Sequence, residues 1–539
     1  MSDFRLDSQA VPLYTATIKK NSMNKLHARE DEMQTNEWVV LLTIVAYLAL
    51  IVGVGIYYSR RAGRGADAFF LGGRSLGPFV TAMSAEASDM SGWLLMGMPG
   101  LALLCGTAEA FWTALGLAIG TYFNWLIVAR RLRRYTVLTG SITIPDFFSR
   151  RFRDDKHILS TLAAIIIIIF FVPYTASGFM TCGKLFSTLF GLEYGKAMLL
   201  SAAIIVLYTA LGGFLAASVT DYLQSILMTM ALLAVIGFGL SYAGGLGNVM
   251  TNAKGISQYL SLTAVAEQGE GTFGFLPIFS TMAWGLGYFG MPHVLLRFMA
   301  IRKEGELKLA RRIGSVWVVI SMGAAIVIGI VGRALMNQGI VGPYASTSES
   351  ETIIVAIANI ISSNGLLLAI LAGLILAGIM AATMSTADSQ LLTAASAVSE
   401  DLLKGVFRWN IGEKKNLWIA RGTVVAVSIL AAVIAYDPGS SVFKIVSFAW
   451  AGFSAAFGPL MLFCLFWKRT TLQGAVAGMI TGGAVIFLWK FLVRPNVAAL
   501  DFYELLPAFL LSALVIYVVS LLTAPPSAEV QATFDKASA

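Results

Sequence analysis

Residues Ser84 to Gly100 read SAEASDMSGWLLMGMPG, an apolar run whose first half carries Glu86, Asp89, three serines and a glycine, and whose far end closes on Gly97-Met98-Pro99-Gly100. A helix facing lipid does not tolerate two carboxylates there. Charge at membrane depth faces a cavity or a pathway, and non-helical backbone survives at that depth only where protein or water satisfies its carbonyls. The stretch therefore reads as a broken helix lining a transport site. A second interrupted segment lies much later, at Trp284-Gly285-Leu286-Gly287-Tyr288-Phe289-Gly290-Met291-Pro292, with three glycines and a proline. Paired interruptions in corresponding halves of a chain point to a midplane binding site of a secondary transporter.

The rest of the chain supplies the bundle around that pair. Of 539 residues, 57% are hydrophobic and only 13% charged, with a mean hydropathy of +0.76, which places the protein in a lipid bilayer as an all-α polytopic chain. Thirteen apolar stretches reach the length of about 20 residues that a crossing needs. They fall at 37–59, 77–102, 108–130, 157–187, 194–214, 218–243, 274–299, 313–337, 363–398, 416–436, 442–467, 472–493 and 502–523, numbered here as spans one to thirteen. Residues 1–36 are polar and mixed in charge, neither signal peptide nor span, and are expected to be disordered; Met23 offers an alternative start. The domain reading is thus an extension at 1–36, one transmembrane unit at 37–523, and a short cytoplasmic tail at 524–539.

Basic residues alternate between connectors. One set holds Arg60, Arg61 and Arg64, the cluster from Arg130 to Lys156, Arg302 to Arg312, Lys404 to Lys415, and Lys468 with Arg469; the other offers little beyond Lys254 and Arg494. The rich set is cytoplasmic by the positive-inside rule, so the N-terminus lies outside a cell membrane and the C-terminus inside. Topology thereby explains the net charge of +8 without a nucleic-acid partner. Cys105, Cys182 and Cys464 have no CxxC or Cys/His neighbour and read as buried thiols, with neither a disulfide framework nor a metal site. Spans two to six and seven to eleven overlay as two five-helix halves of opposite orientation, an inverted repeat at about 77–243 and 274–467, each opening on an interrupted span.

Span nine contains Ala381-Ala382-Thr383-Met384-Ser385-Thr386-Ala387-Asp388-Ser389-Gln390. Ala382, Ser385, Thr386 and Ser389 are spaced i, i+3, i+4 and i+7, so one helical face presents a carbonyl and hydroxyl oxygens with Asp388 beside it. With the unwound carbonyls near Ala87 and Met90, about five neutral oxygens come within reach, which suits a small monovalent cation better than calcium. Serine and threonine as glue between helices is an equally good reading of the spacing alone.

The strings FLGGRSLGPFVTAMSAEASDMSGWLLMGMPG, TIPDFF, FFVPYTASG, YTALGGFLAASVTD, WGLGYFGMPHVLLRFMA, MAATMSTADSQLL and SFAWAGFSAAFGPLMLFCLFWKR run in order from about residue 40 to the tail. In them the chain resembles the sodium–solute symporter family. The resemblance implies thirteen spans, a LeuT-type core and import of L-proline on the sodium gradient, with sodium as the coupling ion. It also implies a sodium site on the carbonyls of Ala87, Met90 and Ala382 and the hydroxyls of Ser385 and Thr386. The implied proline pocket is Tyr174, Trp284, Tyr288 and Pro292, and Arg74, Asp89, Ser91, Gly92 and Asp221 match further positions that matter for transport. Residue chemistry is compatible, because a small ring bearing a carboxylate and an ammonium suits aromatic walls with a few fixed dipoles. Trp284 and Tyr288 are spaced i, i+4, and the glycines beside them let backbone approach a ligand.

Other features have two readings. Asp221 begins a span, where an acid serves as a helix cap or in sodium passage; Arg74 serves as a positive-inside anchor or in transport; His293 reads as a packing residue before a proton relay. Glu86, Asp388 and Met291 depart from the family pattern, which has a small or amide residue, a serine and a glutamine there. Asp388 with Asp221 leaves a second cation or proton site open, Ser389 is a further transport-relevant position, and the expectation is one driving sodium with Asp388 modulating its release. A symporter of another small carboxylated solute is the alternative; a membrane sensor or an intramembrane enzyme is disfavoured, and no oligomeric state is specified.

Overall fold

The computed structural model describes residues 36–60, 66–211, 213–265, 271–407, 409 and 412–538. The expected disordered extension lies outside the described residues, apart from Asn36. Among the described residues, ten helices have the length and apolarity to cross a membrane: Asn36–Arg60, Thr107–Thr139, Ile158–Phe190, Phe214–Tyr242, Glu304–Asn337, Leu366–Val406, Lys415–Ile434, Val442–Phe466, Leu472–Asn496 and Leu505–Leu522. These coincide with ten of the thirteen expected spans. The other three are span five, Tyr194–Leu211, and the two interrupted ones.

Both interruptions form where the sequence places them. Span two starts with Pro78 at the first helical position, where a missing N–H costs nothing, runs as helix Pro78–Asp89, breaks at Met90 and Ser91, turns through Trp93–Gly97 and resumes as Met98–Cys105. Span seven runs Phe275–Met282, tightens into a 3₁₀ segment at Ala283–Phe289, breaks at Gly290 and Met291, and restarts on Pro292 as Pro292–Ala300. Span nine, by contrast, is one unbroken helix, Leu366–Ser396, buried from Ile375 onward. Its continuous face is the surface against which the broken spans register.

The helix of span three runs on past residue 130 to Thr139, where Arg131 and Arg133 donate to the carbonyls of Leu465 and Ile301, both at 2.8 Å. The short tail contains a helix, Ala528–Ser538, which buries Phe534 beneath the guanidinium of Arg151, 5.0 Å from the ring centroid. Cys182 and Cys464 are buried thiols, but Cys105 is only half-buried.

Candidate functional site

Met90 terminates the helix of span two with non-helical backbone (φ −84°, ψ 74°), and Ser91 N–H donates to the Asp89 carbonyl at 3.0 Å rather than to Ala87. The Ala87 carbonyl, freed from the helical ladder, faces span nine. Ser385 Oγ donates to it at 2.8 Å and Thr386 Oγ1 at 3.4 Å, while both hydroxyls also reach the Ala382 carbonyl at 3.1 Å. Four of the five expected sodium ligands therefore meet at one point, all of them neutral and buried. Met90 itself is buried, and its sulfur accepts from Ser321 Oγ at 3.5 Å. A cluster of neutral carbonyl and hydroxyl oxygens at a helix break is a hard-cation environment of low charge, which favours a monovalent ion.

Asp89 is the hub of the adjoining aromatic group. Its carbonyl accepts from Tyr174 Oη at 3.0 Å and from Trp93 Nε1 at 3.2 Å, and its carboxylate accepts from Tyr288 Oη at 2.8 Å. Its second carboxylate oxygen has no hydrogen-bond partner among the described residues. Tyr174 and Tyr288 are thus brought together, with Pro292 buried at the restart of span seven. Trp284 departs from the expected arrangement. The 3₁₀ winding of Ala283–Phe289 has about three residues per turn, so i and i+4 no longer share a face. Trp284 instead lies among Trp93, Phe443, Trp450 and Tyr503, with ring centroids 5.7, 5.5, 6.0 and 5.5 Å away.

The glycines also serve a different purpose from the expected one. A Cβ on Gly285 would meet the Gly116 carbonyl oxygen at 2.0 Å, and one on Gly287 the Trp450 ring at 1.9 Å. The space they leave is filled by span three and span eleven, not by a ligand. Gly92 likewise admits Thr181 of span four, whose hydroxyl would lie 2.1 Å from a Cβ there, and Ser91 Oγ accepts from Trp93 N–H at 3.5 Å.

Asp221 is not a helix cap. It sits two turns inside Phe214–Tyr242, fully buried, and its Oδ2 accepts from Arg297 Nη2 at 3.1 Å and from Ser84 Oγ at 2.7 Å. Arg297 also donates through Nε to Ser84 Oγ (3.0 Å), through Nη2 to Ser389 Oγ (2.5 Å) and through Nη1 to the His293 carbonyl (2.8 Å). Ser389 Oγ in turn donates to Asp388 Oδ1 at 3.1 Å. One buried network therefore joins spans two, six, seven and nine. Sequence reasoning missed Arg297, although an arginine inside the apolar string MPHVLLRFMA was a usable signal, since charge at membrane depth is functional by default.

The remaining residues disperse. Glu86 points away from the cation cluster: its Oε1 accepts from Trp125 Nε1 at 2.8 Å, in space opened by Gly314 of span eight. Arg74 staples its loop to the ends of spans three and seven, donating to the carbonyls of Ser141, Met299 and Thr136 at 2.7, 2.8 and 3.1 Å. His293 packs against the Phe171 ring, and Met291 is buried at the break. A second buried pair went unanticipated: Lys184 Nζ lies 2.6 Å from Glu351 Oε2, beside the start of span eleven.

Two broken spans, each held against unbroken helices, with neutral buried oxygens at one break and an aromatic-lined carboxylate beside them, define a secondary active transporter. A family model described as the sodium:solute symporter family matches residues 69–482. The chain belongs to that family. A sodium/proline symporter of Haemophilus influenzae is 42% identical over 513 residues, covering 93% of this chain and 97% of the relative. One from Staphylococcus aureus is 38% identical over 509 residues, covering 93% and 96%. Among solved structures, a sodium-coupled sialic acid symporter in a substrate-bound outward-open state superposes with a TM-score of 0.75 at 16% identity, over 91% of this chain and 99% of that one. Mhp1, a nucleobase-cation-symport-1 transporter, gives 0.52 at 15% identity, over 86% and 97%. These likenesses establish the fold, a helical membrane bundle with a LeuT-type core.

Proposed function

We propose that this protein carries L-proline into the cell together with sodium by alternating access. The observation that carries this reading is the meeting of the Ala87 and Ala382 carbonyls with the Ser385 and Thr386 hydroxyls at a helix break. It occurs in a chain whose sodium/proline symporter relatives align over 93% of its length. The family is one of transporters, so no covalent chemistry is assigned. Sodium occupies the cluster, with Met90 as its fifth oxygen donor, and ties broken span two to span nine. That bond stabilises the geometry in which Asp89 orients Tyr174 and Tyr288 toward proline, with Pro292 beside them and Trp284 as the lid. By linkage, proline then raises sodium affinity by the factor that sodium raises proline affinity.

One sodium per proline is sufficient to drive uptake. A charge moved through 100 mV supplies about 2.3 kcal/mol, and about 1.4 kcal/mol is tenfold, so the potential alone supports roughly fortyfold accumulation. Asp388, one serine away from Arg297, modulates sodium release. We count thirteen crossings in one transmembrane unit at 37–523 by adding span five and the two broken spans to the ten long helices. With the basic connectors in the cytoplasm, this odd count is read with the N-terminus outside and the C-terminus in the cytoplasm of a cell membrane.

Counterflow of labelled L-proline in proteoliposomes tests the function. Exchange that needs sodium on both faces is expected; equal exchange without sodium, or none with it, overturns the proposal. Orientation is tested on a background lacking Cys105. A cysteine at Gly439 should react with an impermeant thiol reagent from outside, and one at Gly412 only after permeabilisation.

A further inference from the structure

Where the basic connector after span three meets the far end of span nine lies a cavity of about 230 Å³, at the opposite end of the bundle from the open vestibule over Trp284. Its walls are the connector helix Ile144–Phe152, the start of span four, and the wider π-helical turns Ala397–Val406 into which span nine runs. Turns of that kind recur at functional sites. The charges on the lining pair off, with one exception. Asp146 Oδ1 accepts from Arg150 Nε at 2.6 Å, and Glu400 Oε1 from Lys404 Nζ at 2.7 Å. Asp401 has no cation within ion-pair distance among the described residues, and His157 is the one other titratable group on the lining. Asp401 Oδ1 accepts from Thr143 Oγ1 at 2.7 Å; its Oδ2 has no hydrogen-bond partner among those residues, although the side chain is only 4% exposed. A buried carboxylate oxygen is costly to leave without a partner. The cavity thus presents one uncommitted negative charge.

We infer that this cavity is a further binding site for sodium, a landing place on the cytoplasmic side, with Asp401 Oδ2 as its one charged ligand. The inference rests on the proposed function for the ion and for the side the cavity faces. Ser149 and Ser160 put hydroxyl oxygens 3.3 Å apart on the same lining, so neutral oxygens stand beside a single carboxylate. That donor set suits a singly charged ion. A divalent one takes several carboxylates, and here Asp146 and Glu400 are already held by their own cations. The site lies roughly 20 Å along span nine from Ser385, at about 1.5 Å per residue. Span nine thereby carries cation sites at two depths, one of neutral oxygens and one charged. Because the ion that fills the second is the ion leaving the first, the ratio stays at one sodium per proline.

A thiol placed on the lining reads its occupancy. A Cβ at Gly405 meets nothing closer than the Glu400 carbonyl oxygen at 3.4 Å, so Gly405→Cys fits. Inside-out vesicles carrying that variant are labelled with an impermeant maleimide, without proline and at constant ionic strength, in sodium or in choline. The unsubstituted protein is the blank for Cys105, Cys182 and Cys464. Protection by sodium is expected, and none by choline. Asp401→Asn, whose amide oxygen still accepts from Thr143, should raise the half-protecting sodium concentration about tenfold or more while labelling in choline at the parent rate. Asp401→Glu, which keeps the charge, should retain the protection. The double variant Ser385→Ala/Thr386→Ala should leave the half-protecting concentration where it was, because the cluster is a separate site. No protection by sodium, a concentration unmoved by Asp401→Asn, or equal loss in the acid and amide variants overturns the inference. So does a shift seen only in the double variant, or protection by magnesium at lower concentration than sodium. Because sodium-dependent counterflow is measured separately, the landing site and the transport reading fail independently.

Discussion

Among the described residues two ion pairs are sealed from solvent, one at each end of the transport path, and they differ in how completely they are satisfied. At the vestibule end, Lys184 Nζ donates to Glu351 Oε2, Ser348 Oγ and the Ser440 carbonyl at 2.6, 2.8 and 2.9 Å. Glu351 in turn accepts from Ser441 Oγ and from the N–H groups of Val442 and Phe443, at 2.7, 3.2 and 3.1 Å, capping the start of span eleven. No acceptor is left over. At the opposite end, Arg297 bridges Asp221, Ser84 and Ser389, but Asp221 Oδ1 and Asp388 Oδ2 have no hydrogen-bond partner among the described residues. A saturated pair has one arrangement; a pair with spare acceptors has several of similar energy. The first fixes the frame. The second joins four spans, and a separate small cavity of about 10 Å³ lies beside Arg297 and Ser389, barely the room for one water.

The sharpest way to break this contrast is to remove each cation. Arg297→Gln leaves Asp221 buried without its partner, an imbalance of about 3–5 kcal/mol, so proline counterflow should fall roughly 100-fold or more in protein that still inserts. Counterflow near the wild-type rate would reduce Arg297 to packing. Lys184→Met strands Glu351 by a similar amount, but here the loss should appear as stability, read from Tm in detergent, with the surviving protein still transporting. An unchanged Tm, or transport lost at an unchanged Tm, would exchange the roles assigned to the two pairs.

Smaller effects sharpen the picture between those ends. Ser385→Ala and Thr386→Ala each delete one neutral hydroxyl from the cation cluster. A hydrogen bond of that kind is worth about 1 kcal/mol, so each should raise the half-saturating sodium concentration about fivefold, with proline binding at saturating sodium affected less. Unchanged sodium dependence in both variants would return these hydroxyls to the role of helix glue. Asp388→Asn removes a carboxylate that touches only Ser389 in the described hydrogen bonds, and should slow turnover severalfold while the charge-to-proline ratio stays at one. Reversal potentials in proteoliposomes decide the point: a ratio near two in the wild type, lowered to one by the substitution, would make Asp388 part of a second cation site.

The meeting of Ala382, Ser385 and Thr386 with the Ala87 carbonyl was legible in the sequence for a local reason. Ser385, Thr386 and Ala382 lie on one regular helix, where spacing fixes direction, and the break that frees Ala87 is marked by polar residues in an apolar run. The Trp284–Tyr288 pair was not legible in the same way. Its i, i+4 spacing presumes 3.6 residues per turn, and Ala283–Phe289 winds tighter, so one ring faces the vestibule and the other Asp89. Arg297 was visible as a charge at membrane depth, but its partner was not, because Asp221 is on another span and nothing local pairs them.

Composition and the order of interruptions determined by themselves that this chain is a bundle of membrane helices with two broken spans. Burying apolar length in lipid and satisfying every backbone group there leave few other solutions. Which charges neutralise one another was decided only in the tertiary structure. An ion pair buried between helices joins residues such as Asp221 and Arg297, or Lys184 and Glu351, that lie far apart in the chain, and its energy exists only once packing has excluded water from both partners.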